Sequence, residues 1–325
     1  MFALWKRYRR IAAVAPLMLA TIATASAQAP YPNRNITLVL PFAAGSGTDT
    51  TTRLIGKELG TALGVSTVIE NKAGANGSIA ASFVARAPAD GYTLFVTTNT
   101  THSANPYLLK TMTYDPIKDF TPIARTGDLP FMLVIHPDIP ANSVAELIAL
   151  AKKEPGKYSY ASGSSSAIVS GATFARLAGI DLLHVPYKSS PPALTDVIAG
   201  RVSMMFIDVP TGLPHVNGKA LKALAVTTKK RSALLPDLPT MDDTVKGFDI
   251  TSWQGYLGPA NMPKDIVVKL NAEIRKVIER PDIKNQLAER GMEAFSGTPE
   301  EFDAFLKEQL VLWEKLIADA GIEKQ

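Results

Sequence analysis

From Ile36 onward, short β-branched runs alternate with longer amphipathic stretches, and that alternation leaves few folds open. The run Ile36-Thr37-Leu38-Val39-Leu40 leads through a loop of small residues into a helical pattern from about Thr48 to Leu63. A second extended run follows around Val65 to Glu70. Strand, helix and strand in this order predict a βαβ unit. A helical stretch over Gly77 to Ala87 and a strand at Tyr92 to Thr97 continue the pattern. Such a chain buries its apolar runs in mostly parallel sheets with helices on both faces.

Leu129 to Ile135 reads as a strand leaving this first lobe, after which a new series of units begins. Ser143 and Glu146 form a capping box for a helix through Lys153, which Pro155-Gly156 ends. Strands are predicted at Tyr158 to Ala161, Leu182 to Val185, Ser203 to Ile207 and Leu221 to Val226, with helices near 166–178, 190–199 and 210–217. A charged, proline-marked stretch from Lys229 to Pro239 and a strand-like Thr251 to Leu257 return the chain to the first lobe. Two long helices close the sequence. Their apolar residues, Ile266, Val267, Leu270, Ile274, Val277 and Ile278, then Phe302, Phe305, Leu306, Trp313, Leu316 and Ile317, recur at helical spacing and are expected in the core. Thr298 is the expected N-cap of the last helix, with Pro299 at its first position and Glu301 completing a capping box. The expected organisation is a leader at 1–27, a first lobe from 28–129 plus about 230–297, a second lobe at 130–229, and a C-terminal helix, 298–325, packing across both. At roughly 100 to 200 residues per domain, 325 residues accommodate two lobes.

The formal charge of +4 is concentrated in the leader. Lys6, Arg7, Arg9 and Arg10 lie there without any acid, and the rest of the chain carries 30 residues of each sign. A neutral body with no basic run offers no footprint for a phosphate backbone, so nucleic acid is not an expected partner. The basic stretch to Arg10, the apolar run from Ile11 to Ala25 and the small residues Ala25-Ser26-Ala27 have the form of a secretory signal cleaved after Ala27. The apolar run is short for a span of about 20 residues and contains Pro16. A soluble, exported protein is expected. There is no cysteine, which removes a lipid-anchored cysteine, disulfides, thiolate metal sites and thiol nucleophiles.

Candidate chemistry lies at strand ends. Pro41-Phe42-Ala43-Ala44-Gly45-Ser46-Gly47-Thr48-Asp49 joins the first strand to the first helix, where helix N-terminal N–H groups and the helix dipole attract anions. It is neither a Walker loop nor a dinucleotide fingerprint. Tyr160-Ala161-Ser162-Gly163-Ser164-Ser165-Ser166 is its counterpart in the second lobe, and the two loops together suit one small anion. Thr97 to Thr101 with His102, Gly74 to Gly77, Tyr187 with Lys188, and Asp208 occupy similar strand ends, where they equally suit caps and turns. His102, His136, His184 and His215 are scattered, and neither a metal-ligand spacing nor a Gly-x-Ser-x-Gly elbow occurs. No catalytic residue, metal or cofactor is expected.

Several ordered motifs resemble the extracytoplasmic solute-binding proteins of tripartite tricarboxylate transporters, the Bug family. Tyr31-Pro32 and Pro41-Phe42 through Gly45 to Asp49 resemble the family's opening. Glu70-Asn71-Lys72-Ala73-Gly74-Ala75-Asn76-Gly77 resembles its Asn-Arg-Pro-Gly-Ala-Gly-Gly loop, and Ala89-Asp90-Gly91-Tyr92-Thr93-Leu94 the next turn and strand. His184-Val185-Pro186-Tyr187-Lys188 with Pro192-Ala193-Leu194-Thr195-Asp196, and Leu221-Lys222-Ala223-Leu224-Ala225-Val226-Thr227, resemble second-lobe signatures. The sequence departs from the pattern at Ala43-Ala44, where Pro-Pro is usual, at Ser189, where glycine commonly follows Tyr-Lys, and in Ser170-Gly171-Ala172-Thr173-Phe174, which lacks the frequent His-Leu.

The resemblance implies an α/β, two-lobed periplasmic binding protein of the Venus-flytrap, type II-like form, with two mostly parallel sheets and crossover strands. It implies a small organic carboxylate, a dicarboxylate or an aromatic acid, held between the lobes and delivered to the membrane permease subunits of a tripartite tricarboxylate transporter. A sensor kinase is a second implied partner, and a monomer is expected. The ligand contacts carried over are Phe42, Ala43, Ala44, Gly45, Ser46, Asp49, Thr98, Ser162, Ser164, Ser165 and Tyr187, and Asp208 is added from its place at a strand end. The competing expectations are a secreted α/β enzyme on the same substrate class, using Asp49, Lys188 or a histidine as acid or base, and a sensor partner with no transport role.

Overall fold

In a computed structural model, which describes residues 30–232 and 235–325, the strand and helix alternation resolves into two separate sheets. The leader at 1–27 and its cleavage after Ala27 lie outside the described residues. The elements in chain order are β1 (Ile36–Leu40), α1 (Gly47–Leu63), β2 (Thr67–Asn71), α2 (Ser78–Ala85), β3 (Thr93–Thr98), α3 (Asn105–Leu108), β4 (Phe120–Leu129), β5 (Phe131–Ile135) and α4 (Val144–Lys153). They continue as β6 (Ser159–Ser162), α5 (Ser165–Ala178), β7 (Leu183–Pro186), α6 (Ser190–Ile198), β8 (Met204–Asp208), α7 (Val209–Asn217), β9 (Lys222–Val226) and α8 (Met241–Thr244). β10 (Ser252–Pro259), α9 (Lys264–Glu279), α10 (Pro281–Glu289), β11 (Glu293–Ala294) and α11 (Pro299–Asp319) complete the chain.

The first sheet has the order β11-β4-β10-β3-β1-β2 and the second β7-β6-β8-β5-β9. Neither is mostly parallel. β1 pairs in parallel with β2 and β3, but β10 runs antiparallel to β3 and β4, and β11 antiparallel to β4. In the second sheet β6 is parallel to β7 and β8, whereas β5 is antiparallel to β8 and β9. The cause is the crossing segments: β4 passes through Pro130 straight into β5, which enters the second sheet against its βα units, and β10 brings the chain back against those of the first. Alternation of strands and helices reports βαβ units but not the direction in which a crossing strand arrives.

β4 is absent from the sequence expectation because Pro122, Gly127 and Asp128 each disfavour a strand. Its irregular register with β10 accommodates them, and Gly127 has φ +147° where a Cβ would meet the Glu293 carbonyl at 2.4 Å. The return to the first sheet comes at Ser252, later than the boundary near 230. Met241, Val245, Phe248 and Ile250 are buried in the same core as Phe206 and Leu133 of the second sheet. A third, short helix, α10, stands between the two closing helices that the sequence shows. Each sheet carries apolar residues on both faces: Leu38, Leu94 and Tyr256 pack with α1 and α9, and Val39, Phe95 and Leu257 with α2 and the start of α11. Met132, Ala161 and Ile207 of the second sheet pack with α6.

Helix ends follow their local chemistry. Thr298 and Glu301 form the reciprocal capping box of α11. At α4 the box is only half formed: Ser143 Oγ accepts the Glu146 N–H, but Glu146 Oε2 accepts from Asn142 N at 2.7 Å instead of from Ser143. α11 buries Phe302 and Leu306 against the first sheet and Trp313 and Ile317 in the second core. Among the described residues no helix is long and apolar enough to cross a membrane.

Candidate functional site

Four helices begin where the sheets face each other: α1 at Gly47, α5 at Ser165, α6 at Ser190 and α7 at Val209. Between them lies a narrow, nearly closed cleft, lined by Phe42, Ser46, Thr48, Thr98, Thr100, Leu129, Phe131, Ser164, Ser190, Asp208 and Ser252. Seven of these eleven carry hydroxyls, three are apolar, and Asp208 is the one charged residue. No Lys, Arg or His is among them. Positive potential in the cleft therefore comes from helix N-termini, each equivalent to roughly half a charge, and from oriented hydroxyl donors. A larger groove beside Arg34, Arg53 and Lys57 opens along the outer surface of α1, away from the facing sheets. The cleft has the convergent polar groups expected of a small-ligand site, and the outer groove does not.

The first-lobe loop is held from behind by Asp49. Gly45 sits at φ +82°, which turns its N–H back to Asp49 Oδ2 at 2.9 Å. Arg53 grips the same carboxylate through Nε at 3.0 Å and through a second nitrogen at 2.9 Å. Asn71 at the end of β2 donates to Asp49 Oδ1 at 3.0 Å and to the Phe42 carbonyl at 2.9 Å. Burial pushes the Asp49 carboxyl up, but the donors from Arg53, Gly45 and Asn71 outweigh it and hold it below its ordinary value. Asp49 is thus a charged brace of the loop. Ser46 Oγ caps α1 by accepting the Asp49 N–H.

In the second lobe Ser164 caps α5 through the Ala167 N–H. Gly163 beside it is irreplaceable on steric grounds, since a Cβ there would lie 2.2 Å from the Ser189 carbonyl carbon and 2.3 Å from the Ser190 nitrogen. The loops opening α5 and α6 therefore touch backbone to backbone. Asp208 caps α7, its Oδ1 accepting Thr211 N–H at 2.9 Å and Thr211 Oγ1 at 2.6 Å. Burial pushes its carboxyl up, opposed by donors from Thr211 and by the backbone N–H of Gly47.

Contacts across the cleft join the two lobes. Ala43 N–H donates to Ser189 Oγ at 3.1 Å, Asn99 Nδ2 to Ser166 Oγ at 2.9 Å, and Ser165 N–H to Thr100 Oγ1 at 3.3 Å. Asn99 also accepts from Ser252 on β10. Ser189 is the N-cap residue of α6 but makes no cap bond with its hydroxyl. Its hydroxyl instead reaches the opposite lobe.

Of the residues singled out in the sequence, Phe42, Ser46, Thr48, Thr98, Thr100, Ser164 and Asp208 line the cleft. Ala43 and Ser165 sit at its rim through the cross-lobe bonds above, and Ala44 and Gly45 lie on the exposed outer turn. Asp49 stands behind the loop. Ser162 is buried, hydrogen-bonded to His184 Nε2 at 2.7 Å under the stacked Tyr160 ring. Tyr187 turns outward, its hydroxyl donating to Asp196 at 2.5 Å beside Arg201. Lys188 is exposed. His102 is fully buried among Phe95, Tyr114 and Phe120. The lining residues Leu129, Phe131, Ser190 and Ser252 escaped notice in the sequence. Leu129, Phe131 and Ser252 lie on crossing strands, which no loop motif marks, whereas Ser190, beside the noted Tyr187-Lys188 pair, was legible as a helix start.

Among the described residues no group of three or more His, Asp or Glu is placed to hold a metal ion. The arrangement suits capture of a small anion by neutral donors between two lobes.

The sequence matches the model of the tripartite tricarboxylate transporter family receptor over residues 51–322. A UPF0065 protein encoded between tcbD and tcbE in Pseudomonas sp. (strain P51) is 33% identical over 317 residues, covering 96% of this chain and 94% of that protein. The structure of Rpa4515 from R. palustris with adipate aligns at a TM-score of 0.89 and 36% identity, covering 91% of this chain and 100% of that one. MatC from Rhodopseudomonas palustris with bound malate aligns at a TM-score of 0.82 and 30% identity, covering 88% of this chain and 100% of its own.

Proposed function

Since the chain belongs to the tripartite tricarboxylate transporter receptors, the solute-binding proteins of the Bug type, we propose that it captures a small organic dicarboxylate in the cleft between its lobes outside the cytoplasm and delivers it to a membrane permease. The observation that carries this reading is the convergence of four helix N-termini on a cleft lined by hydroxyls and without a cationic side chain. Such a lining binds a carboxylate through N–H and O–H donors and helix dipoles, and it releases it more readily than a buried Arg pair would. Phe42, Ser46, Thr48 and Thr98 form the first-lobe wall of the proposed site, Ser164, Ser190 and Asp208 the second-lobe wall, and Ala43 to Gly45 the outer turn. The adipate of Rpa4515 and the malate of MatC make aliphatic dicarboxylates the first class to test.

Capture requires that the ligand bind the closed arrangement better than the open one. Titration calorimetry and thermal unfolding of the protein started at Gln28 test the reading, with adipate, malate, tricarboxylates, acidic amino acids and aromatic acids as ligands. A ligand at 100 times its dissociation constant should add about 2.7 kcal/mol to stability. A selective rise for one or two dicarboxylates is expected, and a folded, ligand-stripped protein that responds to none of them overturns the reading.

Ser162 with His184 and Thr97 with His102 pair a hydroxyl with an imidazole as a nucleophile and base would, but neither Ser162 nor Thr97 lines the cleft. Recovery of the bound acid unchanged after prolonged incubation separates a receptor from an enzyme. Ligand-dependent binding to a sensor-kinase ectodomain tests the sensing role, and sedimentation the proposed monomer.

A further inference from the structure

Asp208 caps α7 in the second lobe, yet its side chain also reaches the first residue of α1 in the first. A Cβ built on Gly47 would lie 2.0 Å from Asp208 Oδ1, 2.8 Å from Asp208 Cγ and 3.2 Å from Pro210 Cβ, so the carboxylate sits directly against the first residue of α1. The carboxylate is buried, with Thr211 supplying the donors on its own side. One carboxylate thus stands between two helix N-termini that belong to different lobes, and both dipoles favour a negative charge at that point. Of the two positions, only glycine at 47 permits the approach. The nearby Ala43–Ser189 bond places a second contact of the same loop against the neighbouring helix start.

From this geometry we infer that Asp208 is a positioning residue that latches the lobes together, its carboxylate joining the α7 cap to the N-terminus of α1 in the closed arrangement and releasing α1 when the lobes part. The use of closure to retain a ligand rests on the receptor reading above, but the latch does not, because both partners belong to this chain. Gly47→Ala probes it selectively. Alanine suits a first helical turn better than glycine, so the separated lobes tolerate it, while its Cβ occupies the position of Asp208 Oδ1 when they close.

The absence of native cysteine allows a direct reading without ligand. An Ala43→Cys/Ser189→Cys pair, equilibrated with glutathione, forms one disulfide as one glutathione disulfide becomes two glutathione thiols. The equilibrium constant gives the effective concentration of the pair, which scales with the closed population however small that is. Placed in this background, Gly47→Ala and Asp208→Ala are each expected to lower the effective concentration by about tenfold or more, the scale of a buried charge-assisted bond. In the double variant Gly47→Ala should cost far less beyond Asp208→Ala than it does alone, because only the 3.2 Å approach to Pro210 Cβ remains. Asp208→Asn, which keeps the shape and one acceptor oxygen for the α7 cap, is expected to fall between parent and Asp208→Ala. An unchanged value in Gly47→Ala, or an equal additional drop with and without the Asp208 side chain, overturns the latch. Dicarboxylate binding enters none of these outcomes, so a failed panel of acids and a failed latch are told apart.

Discussion

Ser189 Oγ accepts the backbone N–H of Ala43 across the cleft at 3.1 Å, and the bond joins two positions at which the motif resemblance implies proline and glycine instead. Proline at 43 would have no N–H to donate and glycine at 189 no hydroxyl to receive it, so the bond needs both residues as they stand in this chain. Ser189 is buried, and its hydroxyl makes no cap for α6.

Ser189→Ala is therefore expected to weaken ligand capture and to leave the fold intact. The net value of one such bond, about 0.5 to 1.5 kcal/mol, corresponds to roughly a three- to tenfold rise in the dissociation constant. Calorimetric titration with adipate reads this, alongside a melting temperature of the free protein close to that of the parent. An unchanged affinity sinks the assignment.

Asp49→Ala removes the acceptor for the Gly45 N–H, for Arg53 and for Asn71 at once. The loop from Phe42 to Ser46 loses its brace, and an expected drop of about 2 kcal/mol in unfolding free energy accompanies a loss of ligand affinity of tenfold or more. Asp49→Asn keeps one acceptor oxygen and should fall between the two. Urea unfolding and titration of both variants check the order.

His102 is fully buried with its ring tilted against Phe95 and Tyr114 and edge-on to Phe120, and burial pushes its pKa down to about 3. The unfolded chain takes up a proton near pH 6.5 that the folded one refuses, so stability is present above that pH and is lost as pH falls toward 3. The slope approaches about 1.4 kcal/mol per pH unit from this residue. Urea midpoints at pH 7, 5 and 4 should fall less steeply in His102→Gln than in the parent, and parallel slopes would falsify the assignment.

Gly163→Ala places a Cβ against the backbone of Ser189 and Ser190, which cannot swing aside as a side chain can. A loss of about 1 to 3 kcal/mol in stability is expected from the forced shift. Because the displaced strand end and helix start carry Ser164 and Ser190, ligand affinity should fall with it. Thermal unfolding with and without adipate measures both, and a neutral substitution would show that the two loops are free to separate.

Much of this was legible before any coordinates. α11 reads directly from its cap and apolar spacing, and α1 from its spacing, although its N-cap, Ser46, emerges only in the structure. β4 was not legible, because Pro122, Gly127 and Asp128 break its pattern and only pairing with β10 satisfies it. The motif that holds Tyr187 implies a ligand contact, while the direction of its hydroxyl, toward Asp196 beside Arg201, depends on residues outside that motif. The Glu146 carboxylate was assigned to Ser143 and bonds the neighbouring Asn142 N–H instead, a difference of one residue that the local pattern does not resolve.

What the sequence determined by itself is local: which runs pair as strands, where helices start, and which loops offer unpaired N–H groups to an anion. These depend on propensity, spacing and caps within a few residues. The tertiary structure decided which of those loops meet. Ala43 and Ser189, Gly47 and Asp208, and Asn99 and Ser166 are far apart in the chain, and their contacts arise only when two independently packed sheets are set face to face by the crossing strands. A cleft built from such contacts has no local signature, because its lining is a property of how two cores are joined and not of any one segment.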